Sequence, residues 1–600
     1  MKRIDVLAKS ATACAVMLLV AACGGGGNES GSAPTTPAKS EPSVQLSGTA
    51  ATGAALANAS VAVKCANATG TATTDSKGAY TLKLTGGALP CVIQVTGEQG
   101  GVAVKLHSVA EAGSTDSASG TTSAAANVTP LTELIVAQLS AGLPSDLFAA
   151  FGSGTAVSTQ QLVAATNAVL TALKDATGID LGTIDPFKTQ LVAATPAAPD
   201  GGNQYDKLLD SLGTKISVES LPQVVNQIAS AASGGSSSAG LGEVMASVEK
   251  GPLAGCPIAV SGKYRTVDHY GRTTVRDIDF KAMTYKSLDG AVSLAITADP
   301  AKPCEFVATG SQPVQGASPD QVRFDFAVGN AGLGVYRTQN ITQNRTSVGY
   351  LFPVQSHTKD LLAGTWTMLQ SGYTPDDGFI HWIDKMTVKA DDKIDMCEIE
   401  YRTTPGTCTP DAEANLSVAA RSDGGFDVNE SGEVVANMYG YRSPTGVLNV
   451  FGTTNPDGIR NTQTVQVEET SFILAKLQPQ TVPAVGTVSK YFDASLSRSP
   501  ASGSVNETTG PVADANKITN VSGNAVTRER ASDGRVDTTH YNDPLPGVRH
   551  RDGGMNPDGV TPFAEVYQVS VPGVGLTVSI NAKPAGPSQR HVYSASVQRN

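Results

Sequence analysis

The chain has 600 residues, 16% of them charged and 5% aromatic, with 62 glycines and a formal net charge of −11. An acidic surplus repels phosphate backbones and anionic headgroups, which excludes nucleic acid as a partner and a basic, membrane-surface mode of action. Abundant Gly, Thr, Ser, Ala and Asn with few aromatics describe many short strands joined by turns, and the length accommodates two to five domains.

The chain opens Met1-Lys2-Arg3 and then carries an apolar run from Ala11 to Ala22. A charged head followed by an apolar stretch too short to span a bilayer has the form of an export signal. The run ends in Val20-Ala21-Ala22-Cys23, which resembles a bacterial lipobox. That resemblance implies a signal peptide over 1–22, cleavage before Cys23, and a mature N-terminus carrying diacylglycerol and an acyl chain such as palmitate. Several acyl chains on one cysteine anchor stably where a single chain does not. Gly24, in place of the Asp that retains enterobacterial lipoproteins at the inner membrane, implies the outer membrane, on its periplasmic face or the cell surface. Residues 23–43, with four glycines at once and then Ser, Pro and Thr, read as a flexible tether. The chain left after cleavage has 40 basic and 53 acidic residues.

With Cys14 lost in the signal and Cys23 taken by lipid, six cysteines remain, in neighbouring pairs. An oxidising compartment favours disulfides, and the expected bridges are Cys65–Cys91, Cys256–Cys304 and Cys397–Cys408. None has the short spacing of a zinc knuckle, so no metal is expected.

A first folded unit over 44–108 alternates Val61, Val63 and Cys65, turns at Thr74-Asp75-Ser76-Lys77-Gly78, and alternates again at Tyr80, Leu82 and Leu84. Its G-x-x-x-x-G-x-x-L-x-x-A-x-V followed by T-D-x-x-G-x-Y resembles the carboxypeptidase regulatory-like, transthyretin-like β-sandwich. The resemblance implies a spacer or binding accessory without chemistry. Over 109–250 the period changes to that of helices with linkers. Thr129 caps and Pro130 opens a helix bearing Leu131, Leu134, Ile135 and Leu139; Ser158 and Gln161 form a capping box that leads to a stop at Gly178. Two more helices are expected over 205–212 and 221–229. Their apolar stripes read as core.

From Cys256 the chain is β again, in three modules over 256–360, 361–480 and 481–600. Gly262-Lys263-Tyr264-Arg265 returns as Gly364-Thr365-Trp366-Thr367, and Gly486-Thr487-Val488 opens the third without an aromatic. Two further markers recur about a hundred residues apart: Val335-Tyr336-Arg337-Thr338 with Gly440-Tyr441-Arg442-Ser443, and Asn455-Pro456-Asp457-Gly458 with Asn556-Pro557-Asp558-Gly559. The G-x-W opening and its following strands resemble the lipocalin-like barrel. The expected fold class is therefore multidomain and mainly β: a small β-sandwich, an α-helical segment, then tandem antiparallel β-sandwich or barrel modules.

Motifs for chemistry are missing from the sequence. There is no G-x-S-x-G, H-E-x-x-H, phosphate-cradling loop or dinucleotide glycine pattern. No catalytic residue and no cofactor are expected. The carboxylate pairs Glu398/Glu400 and Asp277/Asp279, each sharing a strand face, and the group Asp543, His550 and Asp552 read as solvated. Both tryptophans of the chain, Trp366 and Trp382, fall in the second module beside Tyr373. Exposed, these rings make a stacking platform for a glycan or an anchor for a protein; enclosed, they fill a core. The expected function is a non-catalytic binding or envelope-structural role with a protein or glycan ligand, attached to the membrane by its N-terminal lipid. The alternative is a hydrolase whose site lies unrecognised in the β modules.

Overall fold

The computed structural model describes residues 41–152, 157–233, 240–374, 378–398, 415–454, 469–498, 506–560, 562–571, 573–581 and 591–600. Cys23 and the other residues before Glu41 lie outside them. The architecture is mainly β, with small sheets at the N-terminal end, six α-helices among the described residues, and three closed eight-stranded barrels in tandem.

Two four-stranded sheets form the N-terminal part. One runs, in spatial order, Ala79–Thr85, Ser43–Thr49, Thr121–Ala125 and Ser114–Asp116; the other runs Thr69–Thr73, Ser60–Cys65, Cys91–Gln99 and Val102–Ala110. The first sheet thus takes two strands from beyond residue 108, and Thr121–Ala125 pairs in parallel with Ser43–Thr49. Cys65 and Cys91 stand opposite each other on adjacent strands and are bridged. The turn that begins at Asp75 is closed by the Asp75 carboxylate, which accepts from the backbone N–H of Lys77 and Ala79. Gly78 there has φ +76°, and an added Cβ would stand 2.4 Å from the Ala50 carbonyl oxygen, so only glycine fits.

The helices start where their caps direct. Thr129 and Thr132 make a reciprocal capping box ahead of Pro130–Ser140, and Ser158 and Gln161 do the same for Thr159–Thr177, which ends at left-handed Gly178. Leu131, Leu134 and Ile135 sink into the same apolar core as Val44, Leu46, Val61 and Val95, so sheets and helices share one interior. The buried Glu133 carboxylate ties them further by accepting from His107 Nδ1 at 2.9 Å.

The first barrel runs from Gly262–Asp268 to Arg345–Pro353, the second from Gly364–Thr374 to Glu469–Lys476, and the third from Val488–Arg498 to His591–Gln598. In each, every strand pairs antiparallel with the next and the last returns to the first; the third steps over a small hairpin, Gly554–Met555 with Pro562–Phe563. Cys256 and Cys304 are bridged at the base of the first barrel. Cys397 is disulfide-bonded in the second; Cys408 lies outside the described residues.

Of the repeat markers, the glycine marker coincides with barrel starts. Gly262 and Gly364 sit at positive φ and open the first strands of their barrels. The tyrosine-arginine marker falls on the seventh strand of the first barrel and the sixth of the second, so its spacing is not a structural equivalence.

The three barrels converge on one apolar core made by their outer walls. Val335, Tyr350 and Phe352 of the first, Leu369, Tyr439 and Phe451 of the second, and Phe492, Leu496, Val569, Val578 and Val597 of the third meet there. The Tyr593 hydroxyl of the third barrel donates to the Tyr350 hydroxyl of the first.

Candidate functional site

An eight-stranded barrel is just wide enough either to be filled by its own side chains or to enclose one small ligand. The first barrel is filled. Phe280, Phe306, Phe324 and Phe326 pack through its lumen with ring centroids 5.0–6.3 Å apart. The second is filled by Trp366, Met368, Met386, Phe426, Met438 and Phe472.

The residue two positions after the opening glycine closes both lumens in the same way. The Tyr264 hydroxyl donates to the Val260 carbonyl at 2.7 Å, and the Trp366 indole N–H donates to the Leu362 carbonyl at 2.7 Å. Trp366 is fully buried, with the Lys476 ammonium 3.7 Å over its ring. Trp382 is half-buried and stands opposite Gln370 on the ladder, on the same sheet face as Trp366 but four positions along. Tyr373 lies on that strand, and its side chain lies outside the described residues.

The third barrel differs. Its lumen holds a cavity of about 1300 Å³, above the range of about 300–1000 Å³ typical of small-molecule sites. Strand alternation builds this. On Val488–Arg498, Phe492, Ala494 and Leu496 face outward into the inter-barrel core, which turns Tyr491, Asp493, Ser495 and Ser497 toward the cavity. The same inversion holds on the last strands: Val578 and Ile580, and Tyr593, Ala595 and Val597, pack outside, while Ser579, Asn581, Ser594 and Ser596 line the inside. The third opening glycine, Gly486, is followed by Val488, which is exposed and plugs nothing.

One wall of the cavity is basic. Arg528 and Arg530 lie on Ala525–Arg530, Arg549 and Arg551 on Val548–Arg551, and Arg535 on the loop before Val536–Tyr541. Residues two apart on a strand share a face, so each pair enters the lumen together. The buried Asp537 carboxylate is shared by three of them: it accepts from Arg528 Nε at 2.7 Å, with Arg535 Nη2 at 3.2 Å and Arg551 Nη1 at 3.9 Å. Burial alone would raise the Asp537 pKa, but the charges of Arg528 and Arg551 outweigh that and hold it below the ordinary range. Arg530 is paired with Asp533 and stands 3.9 Å from Asp514.

Arg549 has no carboxylate partner among the described residues. Its Nη1 donates to the Tyr541 hydroxyl at 3.2 Å and its Nη2 to Thr577 Oγ1 at 3.0 Å. The Nε atoms of Arg535, Arg549 and Arg551 are all buried without a hydrogen-bond partner, as is Gln568 Oε1. Burial lowers the guanidinium pKa of Arg549, and that of Arg551 to about 9, offset for Arg551 in part by Asp537. Leaving a buried polar group unpaired costs about 1–3 kcal/mol, and more for a charged one.

The opposite wall carries hydroxyls and amides. The ladders align Tyr541, Arg549, Gln568, Ser579, Ser594 and Ser495 as one continuous row around the inside of the barrel. Gln568 Nε2 donates to Ser579 Oγ at 2.9 Å, and Ser596 Oγ donates to Asp493 Oδ1 at 2.6 Å. Arg535 and Arg551 lie over the Phe563 ring, at 4.8 and 5.4 Å.

The other residues singled out in the sequence are placed as follows. His550 lies beside Asp543 at 3.6 Å and Glu565 at 2.7 Å, while Asp552 instead pairs with His540 at 3.1 Å. No group of metal-binding side chains occurs among the described residues. Asp279 pairs with Lys250 at 2.9 Å. The side chains of Glu398 and Glu400 lie outside the described residues.

No protein-family model and no curated protein matches the chain. Among solved structures the chain is similar to transferrin binding protein B from serogroup B Neisseria meningitidis, at 8% identity and a TM-score of 0.18, over 56% of this chain and 66% of that one. It is also similar to transferrin binding protein B from Haemophilus parasuis, at 9% identity and a TM-score of 0.18, over 54% and 65%. A protein of unknown function from Nostoc punctiforme is similar at 9% identity and a TM-score of 0.13, over 40% of this chain and 96% of that one. The chain therefore spans about two thirds of the transferrin-binding chains it resembles.

Proposed function

We propose that the protein is a lipoprotein of the bacterial outer membrane that binds a ligand in the lumen of its third barrel. One observation carries this reading: of three barrels, two are filled by their own rings and methionines, while the third encloses about 1300 Å³ lined by charged and polar groups, several of them unpaired. A polar cavity stabilises nothing by itself, and each unpaired donor weighs against folding. Such a lumen suits a small molecule or the end of a glycan, since a folded protein surface does not enter a barrel. The lipobox ending in Cys23 supports anchoring, and the acidic surplus keeps the body off anionic lipid.

The test uses the full chain in detergent. Metabolic labelling with a palmitate analogue is expected to mark the protein, and Cys23→Ser to lose both label and membrane association. Ser594→Trp, which sets an indole midway along the polar row of the third lumen, is expected to weaken capture of small molecules and glycans on an array while the melting temperature holds. Binding unchanged by Ser594→Trp removes the lumen from the reading. Turnover of a generic ester, glycoside or peptide substrate replaces binding by hydrolysis.

A further inference from the structure

Resting on that reading, we infer that the third lumen is built for a hydroxyl-rich anion of sugar size: a sugar-like acid whose carboxylate or phosphate meets Arg549 and Arg551 while its hydroxyls meet Gln568 and the serine wall. The anion follows from the arginines. A guanidinium carries five N–H donors in a planar fork that matches carboxylate and phosphate oxygens. Arg549 uses two of them, on uncharged oxygens, and its Nε has no partner. Arg551 is nine-tenths buried, donates to the Ala564 carbonyl at 2.8 Å, reaches Asp537 only at 3.9 Å, and also leaves its Nε unpaired.

The charges facing these two arginines from the surrounding strands do not cancel them. Asp537 is already bound to Arg528 and Arg535, Asp514 and Asp533 lie with Arg530, and Asp493 accepts from Ser596. Glu565, which also lines the cavity, is engaged by His550 at 2.7 Å, and burial raises the Asp493 pKa, which weakens that negative group.

The hydroxyls follow from the neighbouring row. Gln568 stands directly opposite Arg549 on the ladder, and its Oε1 is a buried acceptor without a donor. An unpaired donor beside an unpaired acceptor selects a ligand that accepts at one point and donates at the next. Chloride or sulfate does the first and not the second. Ser579, Ser594 and Ser495 continue the row with groups that do both. Tyr491, Tyr541 and Phe563 add ring surface to the lining.

The probes are digalacturonate, glucose 6-phosphate, neutral maltose and glucosamine, titrated calorimetrically into the full chain in detergent. Binding of either anion, with maltose and glucosamine at least about tenfold weaker and with affinity falling as salt rises, is the expected result; the better of the two anions identifies the acid group. Arg549→Leu is expected to lose about tenfold to a hundredfold in affinity, as for other charge-assisted hydrogen bonds, and Arg549→Lys to recover only part of it because the fork is gone. Arg345→Ala, at the exposed first residue of the last strand of the first barrel, is expected to change nothing.

If Arg549→Leu does not fold, Gln568→Leu reads the hydroxyl half of the site instead, with a loss expected for the same anions. Equal binding of maltose and digalacturonate, or no binding of either anion, overturns the ligand class. Neutral ligands whose binding Ser594→Trp weakens would keep the lumen as the site while discarding the anion. Anion binding indifferent to both Ser594→Trp and Arg549→Leu removes the lumen itself.

Discussion

The second and third barrels share strand number, closure and meander, yet one is solid and the other hollow. In the second, Trp366 and its apolar neighbours face inward and fill the lumen. In the third, the apolar face of the first and last strands is turned outward, where Phe492, Leu496, Tyr593 and Val597 complete the core shared by all three barrels. A closed sheet has two faces and only so many apolar residues. The second barrel lends Leu369, Tyr439 and Phe451 to that core and keeps a second apolar face inside, whereas the third places its apolar residues outside and leaves polar groups within, so it becomes a vessel. The filled barrels then serve as the rigid support against which the hollow one is held.

The largest effect that separates the two belongs to Trp366. Trp366→Ala is expected to lose about 3–5 kcal/mol of stability by opening a cavity in a packed lumen. Chemical denaturation measures it, and a loss below about 1 kcal/mol would mean that the second lumen is not a packed core. Next comes Asp537→Asn in the third barrel, which removes the carboxylate that three arginines share. Breaking a buried pair on one side costs about 3 kcal/mol or more. The folded-state pKa of Asp537 is depressed, so its contribution is full above the ordinary carboxylate value of about 3.9 and is lost as pH falls from there toward the folded value. Stability of the wild type is therefore expected to drop below about pH 4 more steeply than that of Asp537→Asn. Parallel acid-denaturation curves would discard the arginine-carboxylate cluster as a stabilising element.

The strands, the caps at Thr129 and Ser158 and two of the cysteine bridges were legible because each depends on neighbours in sequence or on a periodicity of two or 3.6 residues. Alternation also showed that each barrel strand has an apolar and a polar face. It does not say which face is the lumen, because that is decided by what packs against the outside. For that reason Trp366 was conspicuous in the sequence and the arginines were not. A local signal for them did exist: Arg528 with Arg530, and Arg549 with Arg551, repeat at the spacing that places both side chains on one face of a strand. The absence of an aromatic after Gly486 was a second signal, since Tyr264 and Trp366 close the other two lumens from that position.

The smallest expected effect is the sharpest measure of hollowness. Ser594 lines the cavity midway along the row that begins at Arg549, facing Ser579 on one side and Ser495 on the other. In a filled lumen, removing even one buried group leaves a void whose walls lose their dispersion contacts. In an open polar lumen the neighbours are already free of such contacts, and water occupies the space the hydroxyl leaves. Ser594→Ala is therefore expected to change stability by no more than about 0.5 kcal/mol, the range of surface substitutions. Its effect should appear in binding instead, as a several-fold loss for a ligand whose hydroxyl meets that wall. A stability loss of 2 kcal/mol or more with binding untouched would show Ser594 to be part of a structural hydrogen-bond network. The third barrel would then be as much a core as the second.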